Sequence, residues 1–226
     1  EKILGWQWLS SVSWLVYSIM IFMYGLIPNY GIVVVLFAIL IKIVTYPLMA
    51  KQLRSSKKMQ EINPLLNNIK NKCKNNPTVQ QQKIAALFQE HKINPLAGCL
   101  PMLIQMPVLM SVFMVFRNTI EFRGESFVFW ISDLSAADTL FFVGEIPFNV
   151  LPFLMSASMY YTMQAGMANQ PSGGDPAQEA TQKMMKYIFP GMMFFLFYSF
   201  PSGLNLYYLC FNVMQIAQQK IINKEA

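Results

Sequence analysis

One lysine, Lys42, lies inside an apolar run that is long enough to cross a bilayer. The run, 32–48, reads IVVVLFAILIKIVTYPL. A cation at the centre of a membrane helix costs about 2.5–3.5 kcal/mol on insertion scales, so such residues usually line a polar interior or a pathway. Thr45 and Tyr46, at the i+3 and i+4 positions, extend the polar face. This spacing predicts a cation in a cavity that opens to the cytoplasm. The alternative is a lysine stem that merely reaches towards the headgroups.

A second polar pattern lies near the C-terminus, where polar side chains recur at steps of three, four, three and four residues. That spacing places them on one face of a helix. Hydrogen bonding between neighbouring helices is the ordinary use of such residues, but a stripe of full membrane length favours a polar interior. The stripe consists of Asn205, Tyr208, Asn212, Gln215 and Gln219. The further candidates for the same interior, in two other apolar segments, are Gln105, Ser158 and Thr162.

Motifs for catalysis and metal binding are missing from the sequence. His91 is the only histidine and lies outside the apolar segments, so an intramembrane Ser-His hydrolase would have no base. The sequence contains no HExxH motif, P-loop or GxGxxG. Cys73, Cys99 and Cys210 have no metal-ligand spacing. We therefore predict a protein that is not an enzyme, holds no metal or cofactor, and binds and passes polypeptide or solute.

The composition is that of a membrane protein. The 226 residues are 54% hydrophobic and 12% charged, whereas soluble domains carry about 25% charged residues. The net charge of +6 could indicate nucleic acid, but the basic residues lie beside the apolar segments. Membrane topology and anionic lipid therefore explain the charge better than a nucleic-acid partner does.

Five apolar segments come close to the roughly 20 residues that cross a bilayer. We therefore predict an all-α membrane protein with a bundle of five transmembrane helices. The segments are 30–49, 98–117, 147–166 and two within 186–222, which a tight turn at Pro201-Ser202-Gly203 joins. Residues 1–29 are rich in tryptophan and predict an N-terminal interfacial amphipathic helix. A sixth span is the alternative for this segment.

The distribution of charge predicts the orientation. Segment 50–97 carries nine basic and two acidic residues, whereas segment 118–146 carries one basic and five acidic residues. The positive-inside rule then places 50–97 and the tail 223–226 in the cytoplasm, and 118–146 and the N-terminus outside. Asn76-Pro77 is a helix-start signal, and apolar residues at helical spacing on both sides of it predict a cytoplasmic helical hairpin. The linker 167–185 is predicted to be flexible.

Four motifs resemble those of bacterial insertases of the YidC/Oxa/Alb family. They are KxxTYPL from Lys42, NPLAGCLPMLIQMP from Asn94, WISDLS from Trp130 and FPSGLNLYY from Phe200. The resemblance implies a five-helix core with an interfacial helix, a cytoplasmic hairpin and a hydrophilic groove that is open to cytoplasm and lipid. It also implies that Tyr208 contacts substrate in this groove. The family usually has arginine where Lys42 stands, so this chain keeps the charge but lacks the bidentate guanidinium.

The resemblance implies an insertase and chaperone of the bacterial inner membrane, with the polar residues named above in a substrate-binding groove. It implies nascent membrane proteins as partners, with the ribosome, the Sec translocon and membrane lipids as further candidates and no direct nucleic-acid partner. Two alternatives stay open: a solute transporter or channel with Lys42 as its intramembrane cation, and a scaffold that assembles membrane proteins without inserting them. The sequence begins at Glu1 without a signal pattern, so we expect a processed or trimmed piece of a longer protein.

Overall fold

The computed structural model describes residues 7–73, 76–91, 100–167 and 176–225. Within these ranges the chain is mostly helical, and several helices begin at or beside a proline. The helices are α1 Gln7–Leu26, α2 Tyr30–Glu61, α3 Asn63–Lys72, α4 Pro77–Glu90, α5 Leu100–Asn118, α6 Val150–Met167, α7 Pro176–Lys183, α8 Phe189–Phe197 and α9 Ser202–Glu225. A 3₁₀ turn at Ile120–Phe122 and a π-helical turn at Met184–Ile188 complete them.

Helix α9 lies at the centre of the bundle, where it contacts α2, α5 and α6. Its N-terminal half is buried among apolar side chains of these helices, and Tyr207 and Leu204 are fully enclosed. Phe37 of α2 packs its ring 5.9 Å from the ring of Tyr207. Burial of such large side chains removes apolar surface from water and fixes how the helices pack. The face that α9 turns towards α2 is therefore set by the core.

One helix of the described residues is long and apolar enough to cross a membrane, by length and composition alone. It comprises 22 residues, Tyr30–Lys51, within α2. Helix α2 does not end near residue 49, the predicted end of the first segment, but continues to Glu61. The helix continues because a change from apolar to charged side chains does not by itself end a helix. The next proline after residue 49 is Pro64, at the start of α3.

Helix α1 packs along α5 and also contacts α2. Ser13, Val16 and Met20 form its buried stripe, but Trp14 and Phe22 are exposed and apolar. The helix contains no charged residue. The exposed side of the helix therefore carries aromatic and aliphatic side chains together with Ser11, and the expected amphipathic character stays a prediction. The position of α1 relative to the bilayer stays a prediction.

Helices α3 and α4 pack against each other as a hairpin. Ile62, Leu66 and Leu87 form a small buried cluster of their own. Helix α4 begins at Pro77, and the Asn76 side chain caps it by accepting a hydrogen bond from the Val79 amide at 3.4 Å. Such a separate cluster gives the hairpin a local source of stability outside the main core.

The all-α prediction is incomplete, because two antiparallel strands precede α6. Strand β1, Thr139–Val143, pairs with β2, Ile146–Asn149. Gly144 makes the tight turn between them with φ +66°, a left-handed conformation that glycine adopts without strain. The third predicted segment, 147–166, therefore starts inside a strand, and its helix starts at Val150. The reason is that a short aromatic strand looks like the beginning of an apolar helix.

The predicted flexible linker, 167–185, also contains regular structure. Helix α7 occupies Pro176–Lys183, and the π-helical turn follows it directly. Residues 168–175 lie outside the described part of the chain. The proline at the first position of α7 favours the start of a helix. The polar composition of the segment had instead indicated a flexible linker.

The turn between α8 and α9 is pinned to the loop that precedes the strands. Within this turn, the amide of Ser202 donates to the carbonyl of Ala136 at 2.7 Å, and the amide of Gly203 donates to the carbonyl of Leu134 at 3.0 Å. Asp138 holds the same loop, because its Oδ2 accepts from the Trp130 indole at 3.1 Å and from the first amides of α6. This end of the bundle is therefore closed by hydrogen bonds.

Gly203 is required at this turn by close packing. A Cβ atom at this position would overlap the ring of Phe116, so we expect Gly203→Ala to destabilise the protein by about 1–3 kcal/mol, the usual effect of overpacking. Thermal unfolding in detergent should show a fall of several degrees. Gly191→Ala is the matched control, since a Cβ there meets nothing within 4 Å. Equal melting temperatures for the two variants would contradict the packing argument.

Candidate functional site

The Lys42 side chain is enclosed between α2 and α9, with 0% of its surface exposed. Its ammonium donates a hydrogen bond to Oε1 of Gln215 and lies 3.5 Å from the centroid of the Phe211 ring. Both partners are uncharged. The structure therefore holds a lysine ammonium inside the bundle with a neutral acceptor and an aromatic face, which is a favourable contact for a cation.

The open cavity that the sequence predicts at Lys42 is not what the structure contains. The ammonium faces the polar stripe of α9, as the pattern indicates, but it contacts Gln215 and Phe211 and has no exposed surface. The reason lies in the spacing along α9, which places these two side chains one helical turn apart opposite Lys42. An arriving group must displace at least one of them.

The backbone beside Lys42 also receives side-chain donors. Gln218 donates through Nε2 to the Lys42 carbonyl at 3.4 Å, and the hydroxyl of Thr45 donates to the Ile41 carbonyl at 2.7 Å. Pro47 stands inside α2 and removes one helical donor from this turn. These side-chain contacts lie in the turn before Pro47, although the carbonyl that loses its helical donor through the proline is that of Ile43.

The C-terminal half of α9 presents a row of buried polar side chains. Asn212, Gln218 and Gln219 are all buried, yet Nδ2 of Asn212 and Oε1 of both glutamines have no hydrogen-bond partner among the described residues. A buried polar atom without a partner costs about 1–3 kcal/mol. A face with several such atoms is suited to contact with water or with a polar segment of another chain.

The N-terminal half of the stripe makes different contacts. Asn205 is fully buried, and its Nδ2 donates to the carbonyl of Phe197 at 3.1 Å and to that of Phe200 at 3.4 Å. It therefore closes the α8–α9 turn rather than facing Lys42. Tyr208 accepts a hydrogen bond from Nε2 of Gln105 at 3.4 Å, which links α5 to α9.

The remaining predicted residues contribute unequally. The Ser158 hydroxyl donates to the Met155 carbonyl in its own helix at 2.7 Å. The Thr162 hydroxyl donates to the Ser158 carbonyl at 2.9 Å and reaches the Asn212 carbonyl on α9 at 3.4 Å. Tyr46 is 38% exposed. Thr162 therefore adjoins the polar face, whereas Ser158 stays within α6 and Tyr46 faces outward.

Two residues of this site escaped the sequence analysis. Phe211 precedes Gln215 by one helical turn and Gln218 follows it by three residues, so both lie near the same face of α9. The spacing was visible in the sequence. Gln218, however, lies one residue off the steps of three and four that define the polar stripe, and an aromatic ring such as that of Phe211 is equally consistent with ordinary helix packing.

A protein-family model described as 60Kd inner membrane protein matches residues 22–226. A relative from Pelodictyon phaeoclathratiforme (strain DSM 5477 / BU-1) is 39% identical over 234 residues, and one from Chloroherpeton thalassium (strain ATCC 35110 / GB-78) is 39% identical over 237 residues. Both carry the name membrane protein insertase YidC, and each match covers 99% of this chain. The chain spans 39% of the length of each relative.

The fold is also similar to a solved structure, described as an active YidC insertase crystal structure with the first transmembrane domain resolved. The two chains superpose with a TM-score of 0.65 at 30% sequence identity. The match covers 93% of this chain and 46% of the solved one. The similarity therefore extends across nearly the whole helical arrangement described above.

The pairing of Lys42 with Gln215 predicts a non-additive effect on stability. Gln215→Leu should lower the melting temperature by several degrees, because it leaves a buried ammonium without its acceptor. Lys42→Met combined with Gln215→Leu should restore at least the original value, because replacing both partners of a buried polar pair is often neutral or stabilising. Thermal unfolding in detergent measures both effects.

Lys220→Met is the control for the loss of charge, since Lys220 is exposed on α9 and its replacement should leave the melting temperature unchanged. If the double variant were no more stable than Gln215→Leu alone, the two side chains would not act as a buried pair.

Proposed function

Because the chain belongs to the 60Kd inner membrane protein family, we propose that it inserts membrane proteins into the bilayer and helps them to fold. Relatives with 39% identity carry the name of this activity. The observation that carries the proposal is the Lys42 ammonium, buried between apolar helices with neutral partners only. A buried cation for which the described residues supply no counter-ion is suited to receive an anionic group from another chain.

The polar face of α9 would lower the main free-energy cost of insertion, which is the transfer of polar groups from water into hydrocarbon. A hydrocarbon core is about 30 Å thick, and polar backbone or side chains that enter it lose their hydrogen bonds to water. Asn212, Gln215 and Gln219 are buried along the cytoplasmic half of α9. Contact with these groups would shorten the distance that a polar tail travels through hydrocarbon.

Lys42 would attract acidic residues in the translocated tail. It lies about seven residues, or roughly 10 Å, from the cytoplasmic end of its apolar run, at 1.5 Å per residue. In a partly hydrated site with an effective dielectric constant near 20, a pair of charges about 6 Å apart gains roughly 3 kcal/mol before desolvation is subtracted. That gain changes an insertion rate without trapping the substrate.

Release into lipid would complete the reaction. The apolar helix of the substrate would leave between the helices of the bundle, driven by burial of roughly 20 apolar residues in hydrocarbon. This driving force needs neither a nucleotide nor a cofactor. The proposal therefore describes a passage for nascent membrane proteins rather than an enzyme.

The same proposal assigns a topology. Helices α2, α5, α6, the α8 segment and α9 would span the membrane, with the α3–α4 hairpin and the C-terminus in the cytoplasm and the N-terminus outside. Exposed apolar side chains on the outer surface of the bundle support lipid contact, among them Ile43 and Val44 of α2, Leu154 of α6 and Phe195 of α8. The charge difference between 50–97 and 118–146 supports the orientation.

Nascent membrane proteins are the substrates in this proposal, and the ribosome and the Sec translocon are candidate partners in their delivery. Reconstitution into liposomes with a small single-span substrate tests the activity itself. Insertion without other factors is the expected result. Solute flux would favour a transporter, and neither flux nor insertion would favour an assembly scaffold.

Charge substitutions at Lys42 should separate electrostatic attraction from hydration. We expect Lys42→Arg to retain insertion of substrates with acidic tails and Lys42→Glu to lose most of it. Lys42→Gln keeps a polar side chain without charge, and its defect should grow with the number of acidic residues in the tail. Protease protection of the translocated tail measures the rate. Wild-type insertion of acidic tails by Lys42→Gln would show that the charge is not needed.

The hairpin should be required for function but not for the bundle. Its buried cluster is separate from the main core, so deletion of 62–91 should leave a folded bundle with a cooperative melting transition and abolish insertion. Circular dichroism and the liposome assay measure the two properties on the same preparation. Full insertion by the deletion variant would show that the hairpin is dispensable.

A further inference from the structure

Two side chains of α9 enclose the Lys42 ammonium from the same helical face. Phe211 presents its ring 3.5 Å from the nitrogen, measured to the ring centroid, and Gln215 accepts a hydrogen bond one turn later. Together with the surrounding helices they leave the ammonium with no exposed surface. An insertase site has to be reached by its substrate, so this enclosure has a consequence for function.

We propose that Phe211 and Gln215 form a clasp that holds the Lys42 ammonium against α9 until an acidic group of the substrate displaces it. Phe211 is a positioning residue in this proposal, because it acts on substrate only through Lys42. The role in insertion rests on the proposed function, whereas the clasp itself is a property of the resting protein. The two can therefore be tested separately.

The chemistry of the clasp favours exchange with a carboxylate. A lysine ammonium has three N–H donors, of which Gln215 takes one and the ring face shields the others. A cation over an aromatic ring gains most where water is excluded, so the ring stabilises the charge only while the site is closed. The bond from the ammonium to the Gln215 amide is already assisted by the lysine charge, but its acceptor is neutral. A carboxylate adds the attraction between opposite charges to the hydrogen bond, so an acidic tail is favoured over the amide and a neutral tail is not.

Phe211 also belongs to the aromatic packing of α9, and that role must be separated from the clasp. Its ring lies 6.0 Å from the ring of Tyr207 and 6.4 Å from that of Tyr208, between centroids. Leucine at this position would keep an apolar side chain but remove the aromatic face. Tyrosine would keep the face, so a tyrosine variant should restore whatever depends on the cation.

The direct test is the reactivity of the Lys42 amine in the whole chain, reconstituted in liposomes without substrate. A water-soluble acylating reagent is added for graded times, and the modified fraction at Lys42 is read by mass spectrometry. We expect Phe211→Leu to raise the rate of modification several-fold, and Phe211→Tyr to react as slowly as the original protein. Phe200→Leu is the matched control, because Phe200 is similarly half-buried and packs on Phe113.

Modification of Phe211→Leu at the original rate would overturn the clasp, and so would a tyrosine variant that reacts as fast as the leucine variant. If Phe211→Leu destabilises the fold, a double-mutant cycle with Lys42→Met, measured as melting temperatures, still tests the proposal. Phe211→Leu should lower the melting temperature less in a Lys42→Met background than in the original protein. An equal loss in both backgrounds would mean that Phe211 only packs, and would also overturn the proposal.

Insertion kinetics test the consequence for substrate. Phe211→Leu should lower, several-fold, the concentration of an acidic-tailed substrate that gives half-maximal insertion, with little change in maximal rate. The same substrate with Asn and Gln in its tail should show no shift. An equal shift for both substrates would overturn the role in recognition. If no variant inserted the substrate, the proposed function would be contradicted. The reactivity of the Lys42 amine would still test the clasp, because that assay uses no substrate.

Discussion

A charge that is buried in an apolar bundle has to be compensated, and this constraint governs how α2 and α9 meet. The Lys42 ammonium could not stay between these helices without partners, because an unpaired buried cation loses its hydration without replacement. Gln215 and Phe211 supply an acceptor and an aromatic face. Neither partner is charged, so the ammonium gains a polar and an aromatic contact from them but no counter-ion.

Helix α9 serves two purposes along one polar face. Its N-terminal end is built for closure, where Asn205 ties the turn to α8 and Gly203 admits the ring of Phe116. Its C-terminal half carries buried amide atoms of Asn212, Gln218 and Gln219 that have no partner among the described residues. Oδ1 of Asn205 at the other end also has none. The two ends therefore differ in the contact that Nδ2 of Asn205 makes across the turn, not in how completely their polar atoms are paired.

The continuity of α2 gives the site a mechanical connection to the hairpin. The helix carries Lys42 near its middle and runs to Glu61, immediately before the hairpin cluster that includes Ile62. Pro47 lies between them and weakens the helical hydrogen bonding at one turn. Movement of the hairpin would therefore be transmitted along a helix that has a defined weak point next to the buried charge.

The sequence by itself determined the chemistry of the site and much of the helical framework. An apolar run with one lysine, a polar stripe at helical spacing and an Asn76-Pro77 start signal depend only on local periodicity. Helix ends were less predictable, because a change to charged residues did not end α2 and a short aromatic strand before α6 had no period long enough to recognise.

Tertiary structure alone decided which stripe residues face Lys42. Asn205 and Gln215 have the same polar character and lie on one helical face, yet one closes a turn and the other binds the ammonium. Phe211 joined the site although it is apolar. The physical reason is that periodicity fixes the face of a helix, whereas the level at which two helices cross depends on packing between segments distant in sequence.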